Sequence, residues 1–423
     1  MNKINSRNNS SLQKKSQGGF LLSLMLTLCY ILVFQLFSLN AQTQKTTPKL
    51  SKVKISYITP DSSFSINFRF RMQNRFLMNS ISTEDLNPGS WEARVRRTRL
   101  SFTGHIYDPR LTYYLQLSFS RGDMDWSMQD SSGINTSPNA VRDAMIFYKP
   151  TKNLQLGFGQ GKLPGNRQRV VSSGAQQFYD RSVANATLTI DRDFGFFANY
   201  SMHAGKFKTI LKGAISSGEG RNSVISNSGL AYTGRVELLP FGDFTDGGDY
   251  FEGDLLHEQK PKLSLAGGYH FNDQAVRTQG QLGKDLYTPV SLNEILLDGL
   301  FKFKGWALSA EYMNRKSEVN PVTVNTANKK RAALIADGYN LQLSYCTKSQ
   351  WELAGRYSKV TPDSKVQAYY NQLEQYGLGL TRYFIQHKVK AQFNVFYNNE
   401  KNLVTNKDVV KNMFAVFQIE LGI

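Results

Sequence analysis

Arginine and lysine recur at alternate positions in several segments, a spacing that could place positive charges along one face of an extended strand. In the segment 64–78, Arg69, Arg71 and Arg75 alternate with apolar side chains, and four further arginines fall between positions 94 and 99. A narrow channel lined by one sign of charge raises the local concentration of the opposite ion. The arginine fork can also donate two hydrogen bonds to one phosphate group. The chemistry that these residues could perform is therefore the attraction and binding of small anions.

The elements that carry these cations are predicted to be β-strands, because their polarity alternates with period two. The segment 64–78 places apolar side chains on one face and polar ones on the other, and 111–120, 390–397 and 413–423 repeat the pattern. Further candidates bring the total to about sixteen strands of roughly 9–15 residues, and a tilted strand needs about 9–11 residues to cross a membrane. These candidates are 91–106, 141–149, 154–162, 193–203, 206–217, 229–239, 262–271, 292–304, 306–315, 338–347, 350–359 and 375–385.

The connections between the predicted strands alternate between long and short, as in transmembrane barrels with long outer loops and short periplasmic turns. A soluble β-sandwich or lectin, the alternative for an aromatic-rich β protein, would show no such alternation. The connection 240–261 breaks the rule, because it is long, acidic and glycine-rich where a short turn is expected. It is either an unusual periplasmic excursion or a sign that the strand count is wrong there.

The fold class predicted is all-β, a transmembrane antiparallel β-barrel over residues 64–423. Every backbone polar group must be paired inside hydrocarbon, so a sheet can span a membrane only if it closes. Barrels of about eight strands fill with side chains, whereas about 16–18 strands leave an aqueous channel. Aromatic residues at strand ends fit the girdles at the two membrane interfaces; they are Trp91, Tyr113, Trp306, Tyr312, Trp351, Tyr357 and Tyr397.

The first 63 residues are predicted to lie outside the barrel. Residues 1–41 combine a basic start, an apolar run and a small residue, Ala41, which is the pattern of a cleaved signal peptide. The apolar run is longer than usual, so an uncleaved anchor helix is the alternative. Residues 42–63 are predicted to be a polar periplasmic lead-in, and the protein is predicted to reside in the outer membrane of a Gram-negative cell.

Facing the apolar side of each strand to lipid turns a strongly basic set of side chains into the lumen. The inward carboxylates on the same strands are fewer: Glu237, Asp298, Glu311, Glu352 and Glu420. Basic rings of this kind select anions and phosphate in pores. The inward cations are Arg69, Arg71, Arg75, Arg97, Arg99, Lys208, Lys212, Arg235, Lys302, Arg315, Arg356, Lys388 and Lys390.

The run from Arg94 to Arg99 is the densest cluster of positive charge in the chain. Leu100 and Phe102 set the lipid-facing positions, which turns Arg97 and Arg99 inward and leaves Arg94 and Arg96 near the outer rim. A β-bulge would change this assignment. The alternative is that the run binds phosphate groups of outer-leaflet lipid, or is a solvated rim.

The chain resembles the phosphate-selective porin O and P family, in its Bacteroidetes form. The resemblance rests on short stretches: Arg96 to Leu100 with Gly104, Tyr113 to Phe119, Arg142 to Ala144, Gly159 to Pro164, Arg192 to Gly195, Gly234 to Glu237, and Pro240 to Gly242. It implies a sixteen-stranded barrel that forms a homotrimer in outer-membrane lipid and lipopolysaccharide. It also implies that the loop after Lys162 folds inward as a constriction carrying Arg167, Arg169 or Arg181. Two departures are the final residue, Ile423, where an aromatic is usual, and the lack of a dense arginine ladder.

The sequence contains no recognisable catalytic, metal or cofactor motif. His257-Glu258 lacks the second histidine of a zinc-protease helix, and 157–162 is too short for a phosphate-binding loop. No nucleic-acid recognition module accompanies the net charge of +18. The leading hypothesis is passive diffusion of small anions, with phosphate or polyphosphate as candidates. A general, weakly selective porin is the second hypothesis, and a barrel enzyme such as a phospholipase is the third.

Overall fold

The computed structural model describes residues 55–120, 140–223, 227 and 229–423. The predicted signal peptide and residues 42–54 of the predicted lead-in lie outside these residues. Residues 55–58, also assigned to the lead-in, form a short strand. Among the described residues, no helix combines the length and the apolar character needed to cross a bilayer.

The described chain is built almost entirely of β-strands. Two short helices, α1 (Arg167–Val170) and α2 (Val183–Leu188), lie between the sixth and seventh strands. The strands are β1 (Ile55–Ile58), β2 (Ser65–Ser80), β3 (Pro88–Ile106), β4 (Asp108–Ser118), β5 (Val141–Tyr148), β6 (Leu154–Lys162), β7 (Arg192–Ala204), β8 (Phe207–Ser216), β9 (Ala231–Leu239), β10 (Lys262–Arg277), β11 (Asp285–Phe303), β12 (Trp306–Lys316), β13 (Val322–Val324), β14 (Lys330–Ala332), β15 (Ala336–Cys346), β16 (Trp351–Pro362), β17 (Gln372–Ile385), β18 (Val389–Asn402) and β19 (Lys407–Gly422).

Sixteen of the described strands close into one antiparallel barrel, as predicted. Strands β2 to β12 and β15 to β19 each pair with the next, and the circle closes where β19 pairs with β2, with Phe414 opposite Asn79 and Gly422 opposite Arg71. The short strand β1 continues the ladder along β2 just beyond the end of β19. Strands β13 and β14 form a separate hairpin within one long connection.

The alternation of side chains follows the predicted sorting, with apolar groups outside and polar groups inside. Along β15, Leu341 and Leu343 are exposed on the outer face, whereas Asn340, Gln342 and Ser344 are buried inside. A strand points successive side chains to opposite faces. The sequence period therefore reports directly which side chains face the lumen.

A row of tyrosines crosses five consecutive strands on the outer face. Tyr312 lies opposite Tyr339, and Tyr376 lies opposite both Tyr357 and Tyr397. The ring centroids are 5.0 Å apart in the first pair, and 5.0 and 6.0 Å apart in the other two. Such a row fits an interfacial girdle at the end of the barrel that carries the long connections.

Several strands extend further than the sequence indicates. The predicted loops 272–291 and 399–411 shrink to 278–284 and 403–406, because β10 pairs on with β11 and β18 with β19. Strand pairing continues beyond the length needed to cross the bilayer. In these outer parts of the strands polar residues stand on both faces, so the sequence shows no clear alternation between apolar and polar residues. The connection 240–261 lies between β9 and β10 and is a genuine excursion, not an error in the strand count.

Candidate functional site

The connection 163–191, here called the constriction loop, folds into the barrel. It leaves the end of β6 at Lys162, carries α1 and α2, and returns to β7 at Arg192. Ser182 caps α2 by accepting a hydrogen bond from the Asn185 N–H, and its hydroxyl donates to the side chain of Gln168 in α1. The two helical turns are thereby locked together into one compact body.

Apolar side chains fix the constriction loop against one side of the barrel. Leu188 of α2 is fully buried against Leu296, Met313 and Val360, which point inward from β11, β12 and β16. Phe178 packs in a second cluster, and its ring centroid lies 5.6 Å from that of Phe396 on β18. These strands belong to the part of the barrel from β9 to β19, which we call the sealed wall.

Buried polar groups complete the contact with the sealed wall. The Arg167 guanidinium lies 2.8 Å from Asp298, and Arg235 reaches the same carboxylate at 2.6 Å. The backbone N–H of Gln168 donates to Glu311 at 2.7 Å. Arg235 on this wall is therefore paired with a carboxylate that also holds the constriction loop through Arg167.

The tip of the constriction loop lies over the seam where β19 meets β2. The backbone at Gly174 lies close to the ends of the Arg71 and Glu420 side chains, so a Cβ there would require these side chains to shift. Lys390 donates to the Gly174 carbonyl at 3.0 Å. Arg71 also donates to Ser173 at 2.6 Å.

Asp180 gathers three arginines from the first two strands of the barrel. Its carboxylate lies 3.3 Å from Arg75, 3.1 Å from Arg96 and 3.0 Å from Arg97. Burial alone would raise the pKa of Asp180, but these arginines hold it well below its usual range. The register shifts by one residue where β2 pairs with β3, between the Arg97 and Val95 partners, so Arg96 sits in a bulge. The prediction that Arg96 lies at the outer rim is therefore wrong.

An open cavity of about 340 Å³ separates the constriction loop from strands β3 to β8, which we call the open wall. Among the described residues that line it, seven are basic and one, Asp143, is acidic. Burial lowers the pKa of the Arg181 guanidinium, and neighbouring Arg97 lowers it further. Three of the seven cations have carboxylate partners among the described residues, because Arg169 pairs with Asp191, Arg192 with Asp143 and Asp191, and Lys212 with Glu237. The basic residues of this outer cavity are Arg99, Arg142, Lys162, Arg169, Arg181, Arg192 and Lys212.

A second cavity of about 440 Å³ lies at the end of the barrel that carries the short turns. Both cavities are lined by Arg99, Tyr114, Gln116 and Ser172, so these four residues mark where the two meet. This inner cavity also contains the chain terminus at Ile423 in its lining. The outer and inner cavities are therefore adjacent at Arg99.

The structure distributes the predicted site residues among four environments. Arg99, Lys162, Arg169, Arg181 and Lys212 line the outer cavity, and Arg69, Arg71, Arg99 and Lys388 line the inner one. Lys208 lies outside both and pairs with Asp243 at 2.6 Å. The rest are buried in contacts with the loop or with carboxylates: Arg75, Arg97, Arg167, Arg235, Arg315, Arg356 and Lys390.

Two basic residues of the outer cavity are absent from the residues predicted to form the site. Arg142 and Arg192 line it, and Arg192 forms a double contact with Asp143 at 2.8 and 3.1 Å. Both belong to Arg-Asp pairs at the ends of strands, and this repeated dipeptide is the signal that could have identified them. No group of metal-binding side chains is found among the residues that the structure describes.

Comparison with known proteins places this barrel among the porins. Residues 66–240 match the family model described as phosphate-selective porin O and P. OmpT of Vibrio cholerae in its trimer form is 13% identical, with a TM-score of 0.51 over 85% of this chain and 100% of that chain. The channel DcaP of Acinetobacter baumannii is 11% identical (TM-score 0.52; 87% of this chain, 99% of that chain).

Salmonella typhi OmpF, solved with daunomycin, is 12% identical, with a TM-score of 0.52 over 88% of this chain and 100% of that chain. No curated protein sequence matches the chain. At these identities the solved structures establish the fold alone. The family model is a match between sequences. Family and fold together indicate an outer-membrane channel rather than an enzyme. Residues 66–240 thus match the model of the phosphate-selective porin O and P family, and the described part of the chain forms a sixteen-stranded barrel similar to those of porins.

Proposed function

We propose that the protein is an outer-membrane porin through which small anions diffuse passively, with phosphate as the leading candidate solute. The observation that carries the proposal is the outer cavity, where Asp143 is the one carboxylate among the described lining residues. A low-dielectric wall of one charge sign concentrates ions of the opposite sign. Anions would therefore be enriched at the entrance to the narrow region.

The narrow region itself supports anion passage. Arg99 reaches both cavities and donates to Ser173 of the constriction loop at 3.2 Å. Tyr114 and Gln116 add neutral hydrogen-bonding groups beside it, and the Gln116 amide donates to the Tyr114 hydroxyl at 2.7 Å. An anion that leaves the outer cavity would meet one guanidinium and several neutral polar groups, so it can bind and still be released.

Phosphate is favoured over halide by the kind of cation present. Five of the seven described basic residues that line the outer cavity are arginines, and a guanidinium offers paired donors to phosphate oxygens. A weakly selective porin remains the alternative function, because Asp143 and Asp191 already engage Arg192. We further propose a homotrimer, in line with the trimeric form of the Vibrio protein.

Ion selectivity of the purified protein in planar lipid bilayers tests the proposal. A potassium chloride gradient should give a reversal potential that shows anion preference, and added phosphate should block the chloride current at low concentration. Replacing Arg99→Gln together with Lys162→Gln should reduce both the preference and the block several-fold. Lys152→Gln removes the same type of charge from an exposed short turn and serves as the control.

Two results would contradict the proposal. A reversal potential near zero in the unmodified channel, with no phosphate block, would favour the weakly selective porin. Equal anion preference in the Arg99 and Lys162 double variant and in the control would show that the outer cavity does not determine selectivity.

A further inference from the structure

The connection 240–261, here called the insert, folds back into the barrel from the end with the short turns. Its Glu252 joins the constriction loop, because its N–H donates to the Ala175 carbonyl at 2.9 Å and its carboxylate accepts from the Gln177 N–H at 3.0 Å. Lys302 of β11 donates to the insert carbonyls of Gly248 and Phe251 at 2.8 and 3.0 Å. The insert is therefore a fixed wall of the inner cavity.

The insert brings apolar side chains to the water-filled side of this wall. Phe251 and Leu256 line the inner cavity and are 37% and 38% exposed. The ring of Phe251 stacks on that of His387, with centroids 5.4 Å apart, which fixes its orientation. Elsewhere in this barrel, exposed apolar side chains on the strands face lipid. Exposed apolar groups that line a cavity typically contact the apolar part of a bound ligand.

The barrel wall contributes two cations to the inner cavity that have no partner within the described residues. Arg69 of β2 and Lys388 of the turn before β18 line the same cavity. Neither side chain makes a hydrogen bond or an ion pair within the described residues. Two acids of the insert in this lining are already engaged: Asp254 accepts from the Gly305 N–H at 2.7 Å, and Glu258 accepts from the Thr245 hydroxyl at 2.9 Å. A third, Asp246, lines the cavity and is exposed, so Arg69 and Lys388 outnumber it.

We propose that the inner cavity binds organic anions in which one negative head group is joined to an apolar body. The head group would pair with Arg69 and Lys388, and the body would cover Phe251 and Leu256. The volume of about 440 Å³ falls within the range of about 300–1,000 Å³ typical of small-molecule sites. This inference rests on the proposed anion channel and adds a preference that inorganic phosphate alone would not reveal.

Block of the chloride current by two matched phosphonates tests the inference. Methylphosphonate and phenylphosphonate share a head group and differ in the apolar body, so they are added in turn to either side of a bilayer that contains the channel. Phenylphosphonate should block at a several-fold lower concentration. Leu256→Ser and Phe251→Ser should each remove much of this difference while leaving block by methylphosphonate unchanged.

Matched variants separate binding from folding. Phe241→Ser changes an exposed aromatic residue of the same insert that does not line the cavity, and should keep the full difference between the phosphonates. Arg69→Gln with Lys388→Gln should weaken block by both compounds. If Phe251→Ser unfolds the insert, Leu256→Ser still tests the inference. Leu256 is exposed, so its replacement is not expected to unfold the insert.

The outcomes distinguish the inference from the proposed function. Equal block by the two phosphonates in a channel that still prefers anions would overturn the inference alone. A channel without anion preference that nevertheless binds phenylphosphonate more tightly, in a Leu256-dependent manner, would overturn the proposed function and support the organic-anion site.

Discussion

The sealed wall and the open wall of this barrel both carry inward-pointing cations, but their surroundings differ: most of those on the sealed wall are buried against carboxylates or the constriction loop, whereas several on the open wall line the outer cavity. On the sealed wall, Arg235 and Arg315 are fully buried beside Asp298 and Glu294. On the open wall, Lys162 reaches only backbone carbonyls of the constriction loop, at 3.3 and 3.4 Å. Lys162 is therefore able to contact a solute, whereas the charges of Arg235 and Arg315 are already paired with carboxylates.

The difference between the walls follows from where the acids stand in the sequence. The inward carboxylates predicted from the pattern all come after position 236, on β9 to β19. The constriction loop docks on that side, because its own Arg167 and buried amides find partners there. Charge pairing on one wall therefore leaves the other wall basic and separated from the loop by open space.

The largest expected effect comes from loosening the loop on the sealed wall. Phe178→Ala removes a ring packed against Phe396 and the Arg356 guanidinium, which lies 4.1 Å from the ring centroid. Truncation of a buried phenylalanine costs about 3–5 kcal/mol, so the loop should detach and single-channel conductance should rise markedly. Phe158→Ala on the lipid face is the control, and equal conductance in the two variants would contradict the docking described here.

A smaller effect is expected from Asp180→Asn, which acts at the boundary between the walls. The change removes the carboxylate shared by Arg75, Arg96 and Arg97. The three guanidinium groups would then attract anions from the lumen, so the anion-to-cation permeability ratio should increase. Reversal potentials measure this ratio. A decrease would mean that the arginines act on the solute only while Asp180 orients them.

Arg181→Gln and Arg315→Gln compare the walls with one matched change. Arg181 lines the outer cavity, so its loss should lower anion preference. Arg315 is paired with Glu294 at 2.9 Å, so its loss should lower resistance to heat unfolding and leave the reversal potential unchanged. The same shift of reversal potential in both variants would remove the distinction between the walls.

The smallest effect is expected from Lys208→Gln. Lys208 lies outside both cavities and pairs with Asp243, whose side chain is 57% exposed. Exposed ion pairs contribute about 0–1 kcal/mol to the free energy of unfolding, and this pair lines neither the outer nor the inner cavity. Conductance, reversal potential and the midpoint of heat unfolding should all match the unmodified protein; a changed reversal potential would extend the selective region to this rim.

The sequence predicted the barrel well because its signal is local. Alternation with period two identifies each strand and the face that meets lipid, and the lengths of the connections give the order of the turns. The same rule fails where the lumen is apolar: Phe396, Phe414 and Val416 point inward, although apolar residues were expected outside. They are buried beneath Phe178, and no local pattern reveals that a distant loop will cover them.

The candidate site was predicted only in part for a similar reason. The pattern shows which cations point inward, but not which of them meet a carboxylate from a distant strand, as Arg235 meets Asp298. The bulge at Arg96 is equally hidden, since a shift of one residue leaves the composition of the segment unchanged. The family resemblance supplied the constriction loop, whereas the docking of the insert depends on backbone contacts such as that between Glu252 and Ala175.

The position of the loop tip over the β19–β2 seam has a consequence for biogenesis. Gln73 of the first barrel strand donates to Glu420 of the last at 2.7 Å, and Gly174 fits between Arg71 and that same carboxylate. The anchor for the tip is thus shared by the two strands that are farthest apart in the order of synthesis. An unfinished, still open sheet would lack half of this anchor, so the solute filter is completed in the same step that seals the cylinder.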